Sequence, residues 1–131
     1  MAQHGFVNVD IPAADRAAAG KFYGDLFGWQ THHVAAFDYY LFQTGVGPGG
    51  GFVQQEGTAP RNGVLVYVGT DDIVATLARV VELGGAVVSD KVDMGANGAF
   101  AVFSDPSGNQ IGLYTGPSVA EHIERQVAGA Q

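Results

Sequence analysis

The chain contains no cysteine. That excludes disulfides, thiolate metal sites and cysteine nucleophiles, and it leaves the redox compartment open. Basic residues are scarce: 6 Lys and Arg stand against 13 Asp and Glu, a formal charge of −7. With no basic stripe to displace counterions, nucleic acid is not an expected partner, and the same field favours cationic or neutral ligands. No apolar run approaches the ~20 residues that a membrane span needs. Met1–Asp10 also lacks the basic flank and long apolar core of a signal peptide. The expectation is a cytoplasmic protein with no membrane partner. GxSxG, HExxH and Walker motifs are absent. Gly45-Val46-Gly47-Pro48-Gly49-Gly50 fits GxGxxG in form, but Pro48 and the strand-like Phe52-Val53 stand where a dinucleotide loop needs a helix. A hairpin loop is expected there, and no organic cofactor.

Glycine, by contrast, is plentiful: 20 among 131 residues, in a chain that is 47% hydrophobic. Such a chain forms one compact domain, or two small half-domains sharing a core. It repeats itself at an offset of 57 residues, pairing Asp15 with Asp72, Leu26 with Leu83 and Gly28 with Gly85. The strand Val7–Ile11 pairs with Val64–Val68. Each strand leads into a predicted helix, Asp15–Phe27 and Asp72–Leu83. Asp15 is a plausible N-cap, and Gly28 and Gly84-Gly85 act as stops. Ala18, Phe22 and Leu26 with Ala19, Tyr23 and Phe27 form a wide apolar stripe expected to be core. Ile73, Leu77 and Val80 or Val81 should form the buried face of the second helix. Three strands then follow in each half: Trp29–Ala35, Tyr39–Thr44 and Gly51–Gln55, then Ala86–Asp90, Gly98–Phe103 and Gln110–Tyr114. Val119, Ile123 and Val127 suggest a last amphipathic helix that either covers a partner subunit or frays.

The run SDPSGNQIGLY, Ser104–Tyr114, reads as strand, tight turn and strand, with Gly108 free to take positive φ. Together with Phe22-Tyr23-Gly24-Asp25-Leu26-Phe27-Gly28-Trp29 and the repeat, it resembles the glyoxalase/bleomycin-resistance/dioxygenase, or vicinal oxygen chelate, superfamily. The likeness extends from about Phe6 to Thr115. It implies a single α+β domain of two tandem βαβββ modules, about 5–56 and 62–115, with a tail over 116–131. The sheets would curl into a cup-like mixed sheet with helices outside, in a homodimer.

In metal-bearing relatives each first and last strand supplies one ligand. The resemblance sets those positions on Asn8, Leu65, Gly112 and, by the 57-residue offset, Gln55, with Glu56 beside it. Asn and Gln are weak neutral ligands, while Leu and Gly offer none, so no tight metal site is expected. Strand alternation gives a first lining for the cup. With Asn8 inward, Phe6 and Asp10 follow; with Leu65, Tyr67; with Gly112, Gln110 and Tyr114. Gly112 should leave extra room. His33, of the adjacent pair His32-His33, and the aromatic side chains of Trp29, Tyr39, Tyr40 and Phe42 complete the expected ligand-binding set. Alternation puts only one of each adjacent pair on the ligand face.

The expected function is capture of a small aromatic or polycyclic natural product, such as an antibiotic. This follows the metal-free, drug-holding members that the chain resembles. The alternative is a metal-independent isomerase, epimerase or cyclase, or a glyoxalase-like lyase, with Asp10 or His33 as acid/base. A metal-dependent lyase or dioxygenase is the third reading.

Overall fold

The computed structural model describes residues 4–54 and 63–129. The fold is mixed α+β, built from two tandem βαβββ modules and a C-terminal helix. The first module comprises β1 (Phe6–Ala13), α1 (Arg16–Phe27), β2 (Gln30–Val34), β3 (Tyr39–Gln43) and β4 (Gly50–Gln54). The second comprises β5 (Leu65–Gly69), α2 (Ile73–Glu82), β6 (Ala86–Asp93), β7 (Ala99–Ser104) and β8 (Gln110–Thr115). The last helix, α3, spans Val119–Gly129.

The chain divides into two compact units. One gathers Asn8–Val64 and the segment from Ser118 onward; the other gathers the N-terminal segment through Val7 and Leu65–Pro117. The first has strand order β2-β3-β4-β1, the second β5-β8-β7-β6.

Local chemistry explains the elements. Asp15 and Asp72, both extended, accept hydrogen bonds from the amides of Ala18 (3.0 Å) and Ala75 (2.9 Å), capping α1 and α2. Gly28 ends α1 with φ 77°, and Gly84 follows α2 with φ 97°. At the β7–β8 turn, Asp105 Oδ1 accepts from the amides of Ser107 and Asn109, and Oδ2 accepts from the Asn109 side chain. These bonds hold the Asp105 carboxyl below its ordinary pKa, the Asn109 side chain first. The Gly45–Gly50 stretch joins the antiparallel strands β3 and β4 without a helix, as expected of a hairpin loop.

In the β5–β8 unit, Ile73 and Leu77 of α2 bury against Ala99, Ala101 and Leu113, with Val68 and Phe103 packed alongside. Ile73, Leu77 and Leu113 each contribute about 1.5–3 kcal/mol on burial. Val80 completes the α2 face, while Val81 is exposed.

The β1–β4 unit has an aromatic core. Trp29 stacks on Phe42 (4.9 Å, 8°) and on Tyr23 (5.0 Å, 13°), and Tyr23 stacks on Phe52 (5.7 Å, 17°). The stripe expected on α1 needs correction. Phe22 and Phe27 are each 60% exposed and Leu26 is also exposed. The face α1 turns to its sheet is Arg16, Ala19, Gly20, Tyr23 and Gly24, also at helical spacing. Gly20 lies so close to the Thr31 side chain that a Cβ there would be 2.9 Å from Oγ1. Tight approach of the backbone selected the small-residue face over the hydrophobic one.

A capping box starts α3: Ser118 Oγ accepts from the Glu121 amide (3.1 Å), and Glu121 Oε1 accepts from the Ser118 amide (3.2 Å). The helix lies against β2 and β3, with Val119 and Ile123 buried.

Candidate functional site

The last strand of each module runs parallel to its first. On β1 and β4 the pairing sets Asp10 beside Gly51; on β5 and β8 it sets Tyr67 beside Gly112. Asp10 and Tyr67 are repeat mates, so the structural mate of Gly112 is Gly51. Gln55, which the 57-residue offset selects, lies outside the described residues. So does Glu56. The second module is longer before its last strand: β6 has 8 residues against 5 in β2, and a 3₁₀ turn, Gly95–Asn97, follows it.

The two glycines have different surroundings. A Cβ at Gly112 would fall on the Tyr67 ring, 2.6 Å from Cε2. The room expected at Gly112 is therefore filled by Tyr67. A Cβ at Gly51 would meet only ordinary contacts, 3.8 Å from Asp10 Oδ1 and from Leu41 Cδ2.

Register fixes which side chains share a face in the β1–β4 unit. Thr31 faces α1 through Gly20, so His33, Tyr40, Phe42 and Phe52 face α1 as well. The opposite face carries His32, Leu41, Gly51 and Asp10 in one row across β2, β3, β4 and β1. Asn8 lies one pleat along from Asp10 and donates through Nδ2 to Asp10 Oδ1 (3.2 Å). Tyr39 and Val34 form the next pair beyond His32 and Leu41. Three strand spacings separate the ends of the row, about 14 Å.

Several expected ligand-binding residues thus belong to the α1 side. Phe42 is 2% exposed, and Trp29 stacks on it. His33 stacks on Tyr40 (4.3 Å, 19°), and its Nε2 is 2.8 Å from Asp38 Oδ1. Arg16 donates to Asp38 Oδ2 (2.8 Å) and to its carbonyl (2.9 Å), and its guanidinium lies 4.5 Å over the Tyr40 ring. Arg16 first, then His33, holds the Asp38 carboxyl below its ordinary pKa. This closed cluster pins the β2–β3 turn to the start of α1, with Asp38 at φ 54°.

In the other unit, Leu65, Tyr67, Gln110, Gly112 and Tyr114 share the face away from α2, by alternation with Val68 and Leu113 in the core. The Tyr114 hydroxyl lies 2.9 Å from the Asn97 carbonyl and 2.6 Å from that of Pro117. It ties its own unit together.

Sequence reasoning left open which of His32 and His33 shares the Asp10 face, and it did not single out Leu41 or Gly51 for that face. Alternation showed that only one histidine of the pair could share the Asp10 face. Which one depended on Gly20 packing on Thr31, and that contact has no signature in hydrophobic periodicity.

Residues 6–114 match the family described as glyoxalase-like domain, and the chain belongs to that family. It is 33% identical over 126 residues to a glyoxylase-like domain-containing protein of Didymella fabae, a match covering 89% of this chain and 98% of that one. It is 30% identical over 122 residues to the anthracycline biosynthesis protein DnrV of Streptomyces peucetius, covering 80% of this chain but 44% of that longer protein. Among solved structures, methylmalonyl-CoA epimerase from Mycobacterium tuberculosis superposes with a TM-score of 0.67 at 19% identity, over 86% of this chain and 88% of that one. A glyoxalase/bleomycin resistance protein/dioxygenase superfamily member from Vibrio splendidus 12B01 gives 0.62 at 14%, over 86% and 99%. These two likenesses show the fold.

The fold family includes metal-bearing members. Here Asn8, Leu65, Gly112 and Gly51 supply one amide and neither imidazole nor carboxylate, so a divalent ion does not fit those positions. Among the described residues no three His, Asp or Glu side chains gather to hold an ion. Nor, among them, is any helix long and apolar enough to cross a membrane.

Proposed function

We propose that this protein captures a flat, polycyclic aromatic small molecule and releases it chemically unchanged, as a cytoplasmic homodimer. One observation carries the reading: in the row His32, Leu41, Gly51, Asp10 the glycine adds no side chain to the sheet face at β4, beside the part of that face over β2 and β3 on which α3 packs. With α3 lifted from β2 and β3, a fused-ring molecule lying along about 14 Å of sheet would find apolar contact at Leu41 and room over Gly51. Asp10 and Asn8 at one end offer an acceptor and an amide that fix its orientation. The charge of −7 favours a ligand carrying a cationic group. Similarity to DnrV, named for anthracycline biosynthesis, supports the same ligand class.

A second reading is metal-independent isomerisation, with His32 in place of His33 as proton carrier. It is favoured by the presence of an imidazole and a carboxylate on one sheet face.

One titration separates the two. Trp29 sits in the α1-side core, so the fluorescence of an anthracycline itself is the better signal. Capture predicts a micromolar or tighter Kd, about −8 kcal/mol or better, and recovery of intact ligand by mass spectrometry. Recovery of an isomer establishes the enzyme instead. An absence of binding by anthracyclines and related polycyclic quinones sinks the polycyclic reading.

A further inference from the structure

His32 ends the row that runs through Leu41 and Gly51 to Asp10, and its Nε2 is buried with no hydrogen-bond partner among the described residues. Leaving a buried polar atom unpaired is costly, and proteins seldom do so without a use for it. Violations of this kind concentrate at functional positions.

The helix α3 covers this part of the sheet. It packs on β2 and β3, whose other face is taken by α1 through Gly20 and Thr31. Val34, two residues from His32 and on the same face, is 5% exposed. With α1 on the far side, α3 is the helix of this unit left to bury Val34 and the His32 ring edge. Among the described side chains of α3, Val119 and Ile123 are buried and His122 is half-buried, whereas Ala120, Glu121, Glu124 and Arg125 are exposed. A short helix near a chain terminus belongs to the least stable part of a fold.

We propose that His32 Nε2 is a ligand-binding atom kept under α3. When α3 lifts, the imidazole pairs with a hydroxyl or carbonyl on the ring system of the captured molecule. The identity of that molecule rests on the function proposed above; the covered imidazole does not.

Two measurements test it. The first needs no ligand: acylation by diethyl pyrocarbonate, read residue by residue by fragment mass spectrometry, with exposed His4 as internal reference. His32 should react at least about tenfold more slowly than His4 in the intact protein. Ile123→Ala should erase most of that difference, and Ser118→Ala, which removes the helix cap, should shrink it if Ile123→Ala does not fold. Equal rates for His32 and His4 in the wild type, or a His32 rate unmoved by loosening α3, would overturn the covering role.

The second compares His32→Leu with wild type. Anthracycline affinity should fall about tenfold or more, while Tm stays level or rises because an unpaired nitrogen has been removed. Unchanged affinity, or a Tm that falls along with it, assigns His32 to packing and overturns the ligand role. If the wild type binds no anthracycline, the polycyclic reading fails, and the acylation contrast still upholds or overturns the covered imidazole.

Discussion

The ring of Tyr67 lies across Gly112, in the space where a side chain at position 112 would begin. The pair is fixed by the parallel register of β5 and β8. Its repeat counterpart, Asp10 beside Gly51, leaves room there for a Cβ at ordinary contact distances. One duplicated piece of sheet thus has two outcomes, set by which residue faces the glycine.

Gly112→Ala is therefore expected to destabilise the protein by about 1–3 kcal/mol, through overpacking against the ring. Gly51→Ala should cost much less, since its Cβ meets no atom closer than 3.5 Å. Combining Gly112→Ala with Tyr67→Ala should recover part of the loss, giving a non-additive cycle by denaturant unfolding. Additive costs would mean that the ring does not fill the glycine's space.

The sequence carried the framework further than the site. Asp15 and Asp72 as caps, Gly28 as a left-handed stop and the Asp105–Asn109 turn are local chemistry, readable without tertiary contacts. The repeat placed all eight strands to within a few residues, because the two copies vouch for each other. Facing was harder. Hydrophobicity assigned Phe22, Leu26 and Phe27 to the core, yet α1 packs through Gly20 and Gly24, residues that add nothing to an apolar stripe. That choice turns Phe42 and Tyr40 toward α1 and gives His32, rather than His33, to the Asp10 face. A constant repeat offset also failed at β4, where length differences between the modules shift the glycine.

The closeness of α1 and β2 gives a second prediction. A methyl at position 20 would be 2.9 Å from Thr31 Oγ1 and 3.0 Å from its Cγ2, inside a β-branched side chain with little freedom to turn. Gly20→Ala should lower stability by about 1–3 kcal/mol despite the better helix propensity of alanine. Thr31→Ala should relieve it, because Oγ1 has no hydrogen-bond partner among the described residues to lose. Thermal unfolding of the two single variants and the double variant decides this. A stabilising Gly20→Ala would show that α1 does not pack this closely.

Acid should loosen α3. Burial pushes the His122 imidazole below its ordinary pKa of 6.5; the nearby Arg125 guanidinium acts in the same direction and Glu121 opposes them. A base with a depressed folded-state pKa is bound more tightly in its neutral form. Its contribution to docking is therefore whole above 6.5 and is lost as pH falls from there through the lowered value. Amide exchange over Val119–Arg125, corrected for the intrinsic pH dependence of exchange, should become faster below pH 6.5, while β7 and β8 remain protected. In His122→Gln the exchange should show little dependence on pH over that range. Acid sensitivity that persists in this variant would have to come from another group and would free His122 from the role. If instead α3 and the β7–β8 pair lose protection together, acid acts on the whole fold rather than on the docking of one helix.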